Sequence, residues 1–341
     1  MKELCISLKS PALCLNLRNI ETTVNLYVVK NQQIEEPVVP DLTVGLSKEN
    51  PCLTPDDFTI AIVNVPENGT IYLKGDYNSD NQTYDLEFKR ALPITKNITI
   101  KSVVDNLRVI RGDKEAYLLI SSGITLNINE SSSDKKIVFT DSVNDCILNY
   151  MYGLEGNIVV YNAVFTNISC GAILANDVKL TGCAFSSISS TYGAIHVMSE
   201  RTATIESCTF SGNESTQNSG YGDIYLAKGS EDTNLTLSGT VTTDIGIYVA
   251  NESCGDPEIN VDGIELSSNK LNIKLSSWPE AESITLFVKN NGTFTSVGDM
   301  DSKYTFVVFP DSISTMPTKD GNGQYMTSLD GTYKEYMVIK Y

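Results

Sequence analysis

Histidine and tryptophan each occur only once in this sequence, and cations are scarce, since 25 Lys and Arg stand against 42 Asp and Glu for a net charge of −17. Nucleic-acid binding needs cations that displace the counterions around phosphates, so we expect no nucleic-acid partner. Apolar runs are also short, because none approaches the roughly 20 residues that a membrane-spanning helix requires. The opening segment breaks off at Lys9, before an apolar signal-peptide core could form. We therefore predict neither a transmembrane segment nor a signal peptide.

The cysteines contain no CxxC pair, and the single His196 has no cysteine close to it in sequence. Zinc sites need such closely spaced ligands, so the sequence predicts no metal and no cofactor. The even count leaves a disulfide framework open. We favour small buried thiols, because unpaired cysteine is among the most buried residue types. The eight are Cys5, Cys14, Cys52, Cys146, Cys170, Cys183, Cys208 and Cys254.

Internal repeats are the most informative feature of the chain. Three ten-residue blocks, at 156–165, 176–185 and 201–210, align without gaps and have apolar residues at their third and fifth positions. Each block has a small residue at its eighth position and phenylalanine at its tenth. The eighth positions are Ala163, Cys183 and Cys208, and the tenth positions are Phe165, Phe185 and Phe210. Stacked repeats would make Cys183 and Cys208 neighbours in one core column.

A second short apolar strand, beginning at glycine, follows each block after a loop of variable length. Alternation of apolar and polar residues indicates strands. A coil that cannot bury its own apolar face must stack on the next coil, strand on strand. The pattern therefore predicts an all-β parallel β-helix, with about eight to ten coils estimated from the repeat spacing.

One short helix is expected before the repeats. Thr54 suits the N-cap and Pro55 the first helical position, and two acidic residues follow where the helix dipole favours negative charge. Phe58, Ala61 and Ile62 would form an apolar face that covers the open strand edges of the first coil.

Three regions follow from these patterns. Residues 1–50 are predicted to form an N-terminal strand, where apolar and polar residues alternate at 23–30, and a linker extension. Residues 51–288 form the parallel β-helix. Residues 289–341 lose the repeat but keep strand-like segments, which predicts a C-terminal cap or the start of another module.

The segments 69–75 (GTIYLKG) and 92–101 (LPITKNITIK) resemble the opening of pectin-lyase-like right-handed β-helix proteins, in which a capping helix leads into such strands. The Gly-Ala-Ile elements and 210–213 (FSGN) resemble the GGA(I/L/V) and FxxN repeats of polymorphic outer-membrane adhesins. Together the resemblances cover residues 54–250. They imply a right-handed, single-stranded parallel β-helix. The enzymes of the superfamily use clustered carboxylates, with Ca²⁺ and an Arg or Lys base in the lyases.

Five charged residues are candidates for such chemistry. They show no paired-carboxylate signature on one strand, so we interpret them as solvated surface charges and predict no catalytic residue. His196 should point outward from its strand, and because no nucleophile can be tied to it, we interpret it as a surface histidine. The five are Asp177, Glu206, Asp223, Lys179 and Arg201.

Residues 76–87 (DYNSDNQTYDLE) match a twelve-residue calcium loop, with Glu87 at the twelfth position. Asn81 stands where such loops have glycine, and strands flank the segment, so we interpret it as an excursion loop with calcium binding as the alternative. Glycosylation sequons are frequent as well. They begin at Asn68, Asn81, Asn97, Asn129, Asn167, Asn213, Asn234, Asn251 and Asn291.

The loops at 186–192 and 211–221 carry Tyr192 and Tyr221, which we predict to be the binding aromatics, because loops on a rigid scaffold usually carry binding. We expect a non-catalytic, monomeric, adhesin-like protein, extracellular or at the cell surface, that binds a polysaccharide or a surface protein. One alternative is a polysaccharide lyase or glycoside hydrolase on an acidic glycan, which the negative charge would repel. A structural spacer is the other.

Overall fold

The computed structural model describes residues 4–6, 13–15, 41–143, 148–153, 155–198, 201–216, 222–227, 234–241, 245–249, 259–266, 270–275, 283–289, 296–298, 304–310 and 333–340. The chain forms two compact units, Met1–Pro40 and Asp41–Tyr341. In the first unit, β1 (Leu4–Ile6) pairs antiparallel with β2 (Leu13–Leu15), with Cys5 opposite Cys14. The strand expected at 23–30 lies outside the described residues.

The second unit contains three long sheets, here called A, B and C. Sheet A contains β3 (Gly69–Leu73), β7 (Ile98–Ser102), β10 (Thr125–Ile128), β13 (Asn157–Tyr161), β16 (Val178–Thr181), β19 (Thr202–Glu206), β23 (Asn234–Val241), β25 (Ile259–Leu266), β27 (Ser283–Lys289), β30 (Tyr333–Lys340) and β29 (Tyr304–Pro310). Sheet B contains β4 (Asp76–Asn78), β5 (Thr83–Phe88), β8 (Leu107–Arg111), β11 (Ile137–Asp141), β14 (Ala163–Ile168), β17 (Ala184–Ser190) and β20 (Thr209–Ser211), and β21 (Glu214–Ser215) also pairs with β17. Sheet C contains β6 (Leu92–Ile94), β9 (Leu118–Ile120), β12 (Met151–Gly153), β15 (Ile173–Ala175), β18 (Ile195–Val197), β22 (Ile224–Leu226), β24 (Ile245–Val249), β26 (Lys270–Leu275) and β28 (Ser296–Gly298).

The chain visits sheets A, B and C in turn, and successive turns pair in parallel. Six turns, from β3 to β22, place a strand in every sheet, and three further repeats place strands in sheets A and C. This confirms a parallel β-solenoid. The sequence estimate of eight to ten coils was too high for complete turns, because sheet B ends at β20 among the described residues.

The predicted capping helix is present as α1 (Pro55–Asn64). Its first turn is closed by a capping box, in which the Thr54 hydroxyl accepts from the Asp57 amide at 3.2 Å and the Asp57 carboxylate accepts from the Thr54 amide at 2.9 Å. The helix packs on β3 of sheet A, β5 of sheet B and β6 of sheet C. Its buried residues are the predicted Phe58, Ala61 and Ile62.

Thr54→Ala is expected to lower the free energy of unfolding by about 1 kcal/mol, because the amide at the third helical position loses its side-chain acceptor. Urea titration followed by circular dichroism measures the change. Thr54→Ser keeps the hydroxyl and should stay close to the parent protein. Equal destabilisation by both substitutions would show that the cap does not depend on this hydrogen bond.

The repeated phenylalanines stack inside the solenoid, because equivalent positions of stacked repeats become neighbours. The rings of Phe139, Phe165, Phe185 and Phe210 follow one another at centroid distances of 5.0, 4.8 and 5.3 Å, with interplanar angles between 1° and 17°. Each ring comes from an equivalent position of a sheet B strand, so the parallel register alone sets this stack.

The predicted thiol column is confirmed as well. Cys183 and Cys208 are buried free thiols at neighbouring positions of successive turns, and Cys52 is a third buried thiol. A hydrogen bond to the Cys183 sulfur, together with burial, raises the pKa of the Cys208 thiol. Both side chains lie in the core, as unpaired cysteines usually do, so they fill the interior of the solenoid. Cys146 and Cys254 lie beyond the described part of the chain.

In three successive turns, the corner between sheets A and B turns on one residue in left-handed conformation. This residue is Asn162 (φ 49°), then Gly182 (φ 64°) and then Ser207 (φ 51°). Small or amide side chains tolerate this backbone region best, which accounts for the residue types.

An ion pair that the sequence did not reveal lies inside the solenoid near the corner between sheets B and C. Arg111 is fully buried, and its Nε and Nη2 atoms each donate to the Asp141 carboxylate at 2.7 Å. Its Nη1 atom donates to the Leu148 carbonyl, and its guanidinium lies 5.0 Å from the centre of the Tyr150 ring. The Asp141 carboxylate also accepts from the Ser169 amide at 2.9 Å.

Beyond β27 the pairing of sheet A changes direction. Strand β30 pairs antiparallel with β27, and β29 pairs antiparallel with β30. These strands confirm the strand-like segments expected near 305–309 and 336–341. They continue sheet A past the last parallel strand, so the edge of β27 is not open to pairing with another chain.

Candidate functional site

The outward face of sheet C differs in composition from that of sheet A. Sheet A presents polar side chains such as Thr99, Lys179 and Thr204 at its outward positions. From Pro93 to Tyr225, sheet C presents an uncharged column, one residue per turn in register, which we call the sheet C column; the same register continues to Tyr248 and then to Lys274. Its members are Pro93, Leu119, Tyr152, Leu174, His196 and Tyr225.

Three rings pack together at one end of the sheet C column. Tyr192 lies 4.9 Å from His196 and 4.9 Å from Tyr225, and His196 lies 4.7 Å from Tyr225, measured between ring centroids. Tyr192 is 40% exposed, Tyr225 is half-buried, and His196 is only 8% exposed. We call these residues the aromatic cluster, of which Tyr192 is the outermost member.

A tight turn before β18 holds Tyr192 in place. The Ser190 hydroxyl lies 2.6 Å from both the amide nitrogen and the carbonyl oxygen of Gly193, accepting from the first and donating to the second. The Ser215 hydroxyl of the next turn donates to the Thr191 carbonyl at 2.8 Å. Gly193 has a φ of 97°, and a Cβ there would lie 2.8 Å from a backbone oxygen of the next turn, so the position requires glycine.

His196 corrects one expectation from the sequence. It does lie on the outward face, in register with Leu174 and Tyr225, but it is buried rather than exposed because the rings of Tyr192 and Tyr225 cover it. Burial lowers the pKa of the imidazole to about 4, so it is neutral at ordinary pH. Its Nδ1 atom is buried and has no hydrogen-bond partner among the described residues.

Of the two predicted binding aromatics, Tyr192 belongs to the aromatic cluster and Tyr221 lies outside the described residues. Sequence reasoning missed His196 and Tyr225 as neighbours of Tyr192. A signal was present, because both occupy the same outward place of the short strand that follows each glycine. The role of Tyr192 in binding stays a prediction.

The candidate catalytic carboxylates on sheet A do not converge. Asp177 precedes β16 and accepts from the Thr202 amide at 3.1 Å, whereas Glu206 is at the far end of β19 and accepts from the Thr181 hydroxyl at 3.4 Å. Both carboxylates are exposed, as are Lys179 and Arg201. These four are surface residues, as the sequence interpretation held.

Asp223 is different from the other candidates, because it is 8% exposed and its carboxylate links neighbouring segments. It accepts from Asn213 Nδ2 at 2.8 Å and from the Gly246 amide at 2.6 Å. The interpretation of Asp223 as a solvated charge was therefore wrong. Asn213 is the asparagine of the FxxN element, and its Oδ1 atom accepts from the Ile188 amide at 3.1 Å.

The segment that matches a calcium loop folds as the antiparallel hairpin of β4 and β5. The Asp85 carboxylate accepts from Asn78 Nδ2 at 3.0 Å and from the Thr83 hydroxyl at 2.9 Å, and it pairs with Arg108 at 3.3 Å. Within the described ranges, no group of three or more His, Cys, Asp or Glu side chains is placed to hold a metal ion.

In the part of the chain that the structure describes, no helix is long and apolar enough to cross a bilayer. Comparison of the chain with protein-family models, with curated proteins and with solved structures found no match.

Proposed function

We propose that this protein is a non-catalytic, adhesin-like β-solenoid that binds glycans on the outward face of sheet C. The observation that carries the proposal is the uncharged sheet C column from Pro93 to Tyr225, whose last two turns carry the aromatic cluster of Tyr192, His196 and Tyr225. An outward sheet face normally carries polar residues, and although Leu174 and His196 of this column are buried, Tyr192 stands exposed beside them, which supports a surface used for binding.

Tyrosine suits a sugar better than a purely apolar partner. Its ring packs against the apolar C–H face of a pyranose, and its hydroxyl can hydrogen-bond to the sugar or to water. Parallel strands lie about 4.8 Å apart, so the column offers one side chain at each such step. A glycan lying across the strands would therefore meet one side chain of the column at each step.

Charge and the dispersed carboxylates support binding over catalysis. Asp177 and Glu206 lie at opposite ends of their strands, and Asp223 is held by Asn213 and Gly246. A net charge of −17 would repel a polyuronate. The proposal therefore places the protein outside the cell or at its surface, where it meets glycans.

We also infer that the chain is a member of the pectin-lyase-like superfamily. Three features support this assignment: α1 covers the first turn, the GTIYL segment forms β3, and the ITI segment forms the start of β7 beside it. The function proposed above does not depend on this membership, because it is argued from the composition of sheet C.

Tyr192→Ala is expected to weaken glycan binding at least tenfold, because the exposed ring of the aromatic cluster is lost. A glycan array identifies a ligand, and calorimetry then compares the dissociation constants of the parent and the variant. Tyr77→Ala is the matched control, since Tyr77 is 59% exposed but lies on β4 at the capped end. Equal affinity for the parent and Tyr192→Ala would contradict the proposal, and new reducing or unsaturated ends in the glycan would show an enzyme instead.

A further inference from the structure

The buried Nδ1 atom of His196 needs an explanation. Buried polar atoms in native proteins nearly always have a hydrogen-bond partner, and one without a partner costs free energy. Among the described residues Nδ1 has none, although the imidazole is in contact with the rings of Tyr192 and Tyr225. Such an atom, at the base of a surface cluster, is suited to a partner that arrives from solution.

We propose that Tyr192 is a movable cover over His196, that a hydroxyl group of a neutral sugar bonds to Nδ1 when the cover swings away, and that the displaced Tyr192 ring then packs on the same sugar. This inference rests on the proposed function, because it concerns the same site. It assigns a motion to Tyr192 and a recognition role to His196.

The geometry leaves Tyr192 as the ring that can move. Leu174 and Tyr225 are central residues of β15 and β22, fixed in the sheet on either side of His196. Tyr192 lies on the turn outside the strands and is the most exposed ring of the cluster. Ser190 and Ser215 hold the backbone of that turn, so the cover opens by rotation of the side chain and not by movement of the loop.

The chemistry at His196 selects the ligand class. A neutral imidazole has one donor and one acceptor nitrogen, and its tautomer decides which of the two is Nδ1. A hydroxyl group both donates and accepts, so it satisfies either tautomer, whereas a carboxylate satisfies only the donor form. Leu174, Tyr192 and Tyr225 bring no charge to the imidazole. The carboxylate of Asp223, the residue before β22, accepts hydrogen bonds from Asn213 and from the Gly246 amide.

The first test needs no ligand, because His196 is the only histidine and gives one imidazole signal in the full-length protein. In the parent the pKa measured by NMR titration should be near 4. Tyr192→Ala should raise it by at least one unit toward the ordinary value of about 6.5 and speed modification by diethyl pyrocarbonate at least tenfold. Tyr192→Phe should behave as the parent. If Tyr192→Ala leaves the pKa of His196 and its rate of modification unchanged, Tyr192 is not a cover over His196.

The second test uses neutral hexasaccharides of glucose, mannose and galactose as probes. A hexasaccharide that binds should shift the ¹⁵Nδ1 resonance of His196, and His196→Phe, which keeps a buried ring without the nitrogen, should bind it at least tenfold more weakly. If the parent and a folded His196→Phe bind the hexasaccharide with equal affinity, the sugar forms no hydrogen bond with Nδ1, and the proposed function still stands. If none of these probes nor any glycan of the array binds the parent, both fail together.

Discussion

Arg111→Ala is expected to lower the free energy of unfolding by about 3–5 kcal/mol, the usual cost of removing one partner of a buried ion pair. Arg111 is fully buried, and Asp141 is nearly so. Without the guanidinium, the Asp141 carboxylate would stay in the core with the Ser169 amide and hydroxyl among its remaining donors. Urea titration followed by circular dichroism and by tyrosine fluorescence measures the change.

The matched control for this prediction is Arg90→Ala. Arg90 forms an ion pair with Asp56 at 3.4 Å, but both side chains are mostly exposed, so we expect a change below about 1 kcal/mol. The double substitution Arg111→Met with Asp141→Leu should recover much of the loss, because it removes the uncompensated charge. A cost for Arg111→Ala no larger than that for Arg90→Ala would show that the pair contributes little.

Phe185→Ala is expected to cost about 3–5 kcal/mol as well, through the cavity left in the phenylalanine stack. Its ring lies between Phe165 at 4.8 Å and Phe210 at 5.3 Å, and all three are buried. The same urea titration applies. Because Phe185 belongs to β17, which leads directly into the turn of Tyr192, weaker glycan binding should accompany the loss of stability.

Phe185→Leu distinguishes what ring stacking contributes to the free energy of unfolding from what filling the core volume contributes. Leucine refills most of the space, so it should cost clearly less than alanine. Tyr77→Ala removes an exposed ring that packs on Tyr84, at a centroid distance of 5.2 Å, so it should cost no more than about 1.5 kcal/mol. A small effect of Phe185→Ala, comparable to that of Tyr77→Ala, would mean that the solenoid collapses around the gap.

Local signals made part of this fold readable from the sequence. The helix could be predicted because Thr54 and Pro55 act on their own turn, independently of the rest of the chain. The stacking of Phe165, Phe185 and Phe210 could be predicted because parallel pairing in register brings equivalent positions of each repeat together.

What escaped prediction depends on contacts between turns. Arg111 and Asp141 are 30 residues apart and read as surface charges until the register of β8 and β11 places them together in the core. His196 was correctly placed on the outward face, but its burial comes from Tyr192 and from Tyr225 of the next turn. Loop lengths differ from turn to turn, so spacing alone could not show these neighbours.

In the three turns that contain Asn162, Gly182 and Ser207, the single left-handed residue at the corner between sheets A and B limits how the protein can evolve. By contrast, the earlier β7–β8 and β10–β11 connections span 103–106 and 129–136. An insertion next to Asn162, Gly182 or Ser207 would shift the following strand by one place and turn its buried side chains toward solvent. The corner between sheets B and C, where Tyr192 lies, already accepts loops of different lengths. New ligand preferences can therefore arise by exchanging one of these loops at a time, while the inherited core keeps its register.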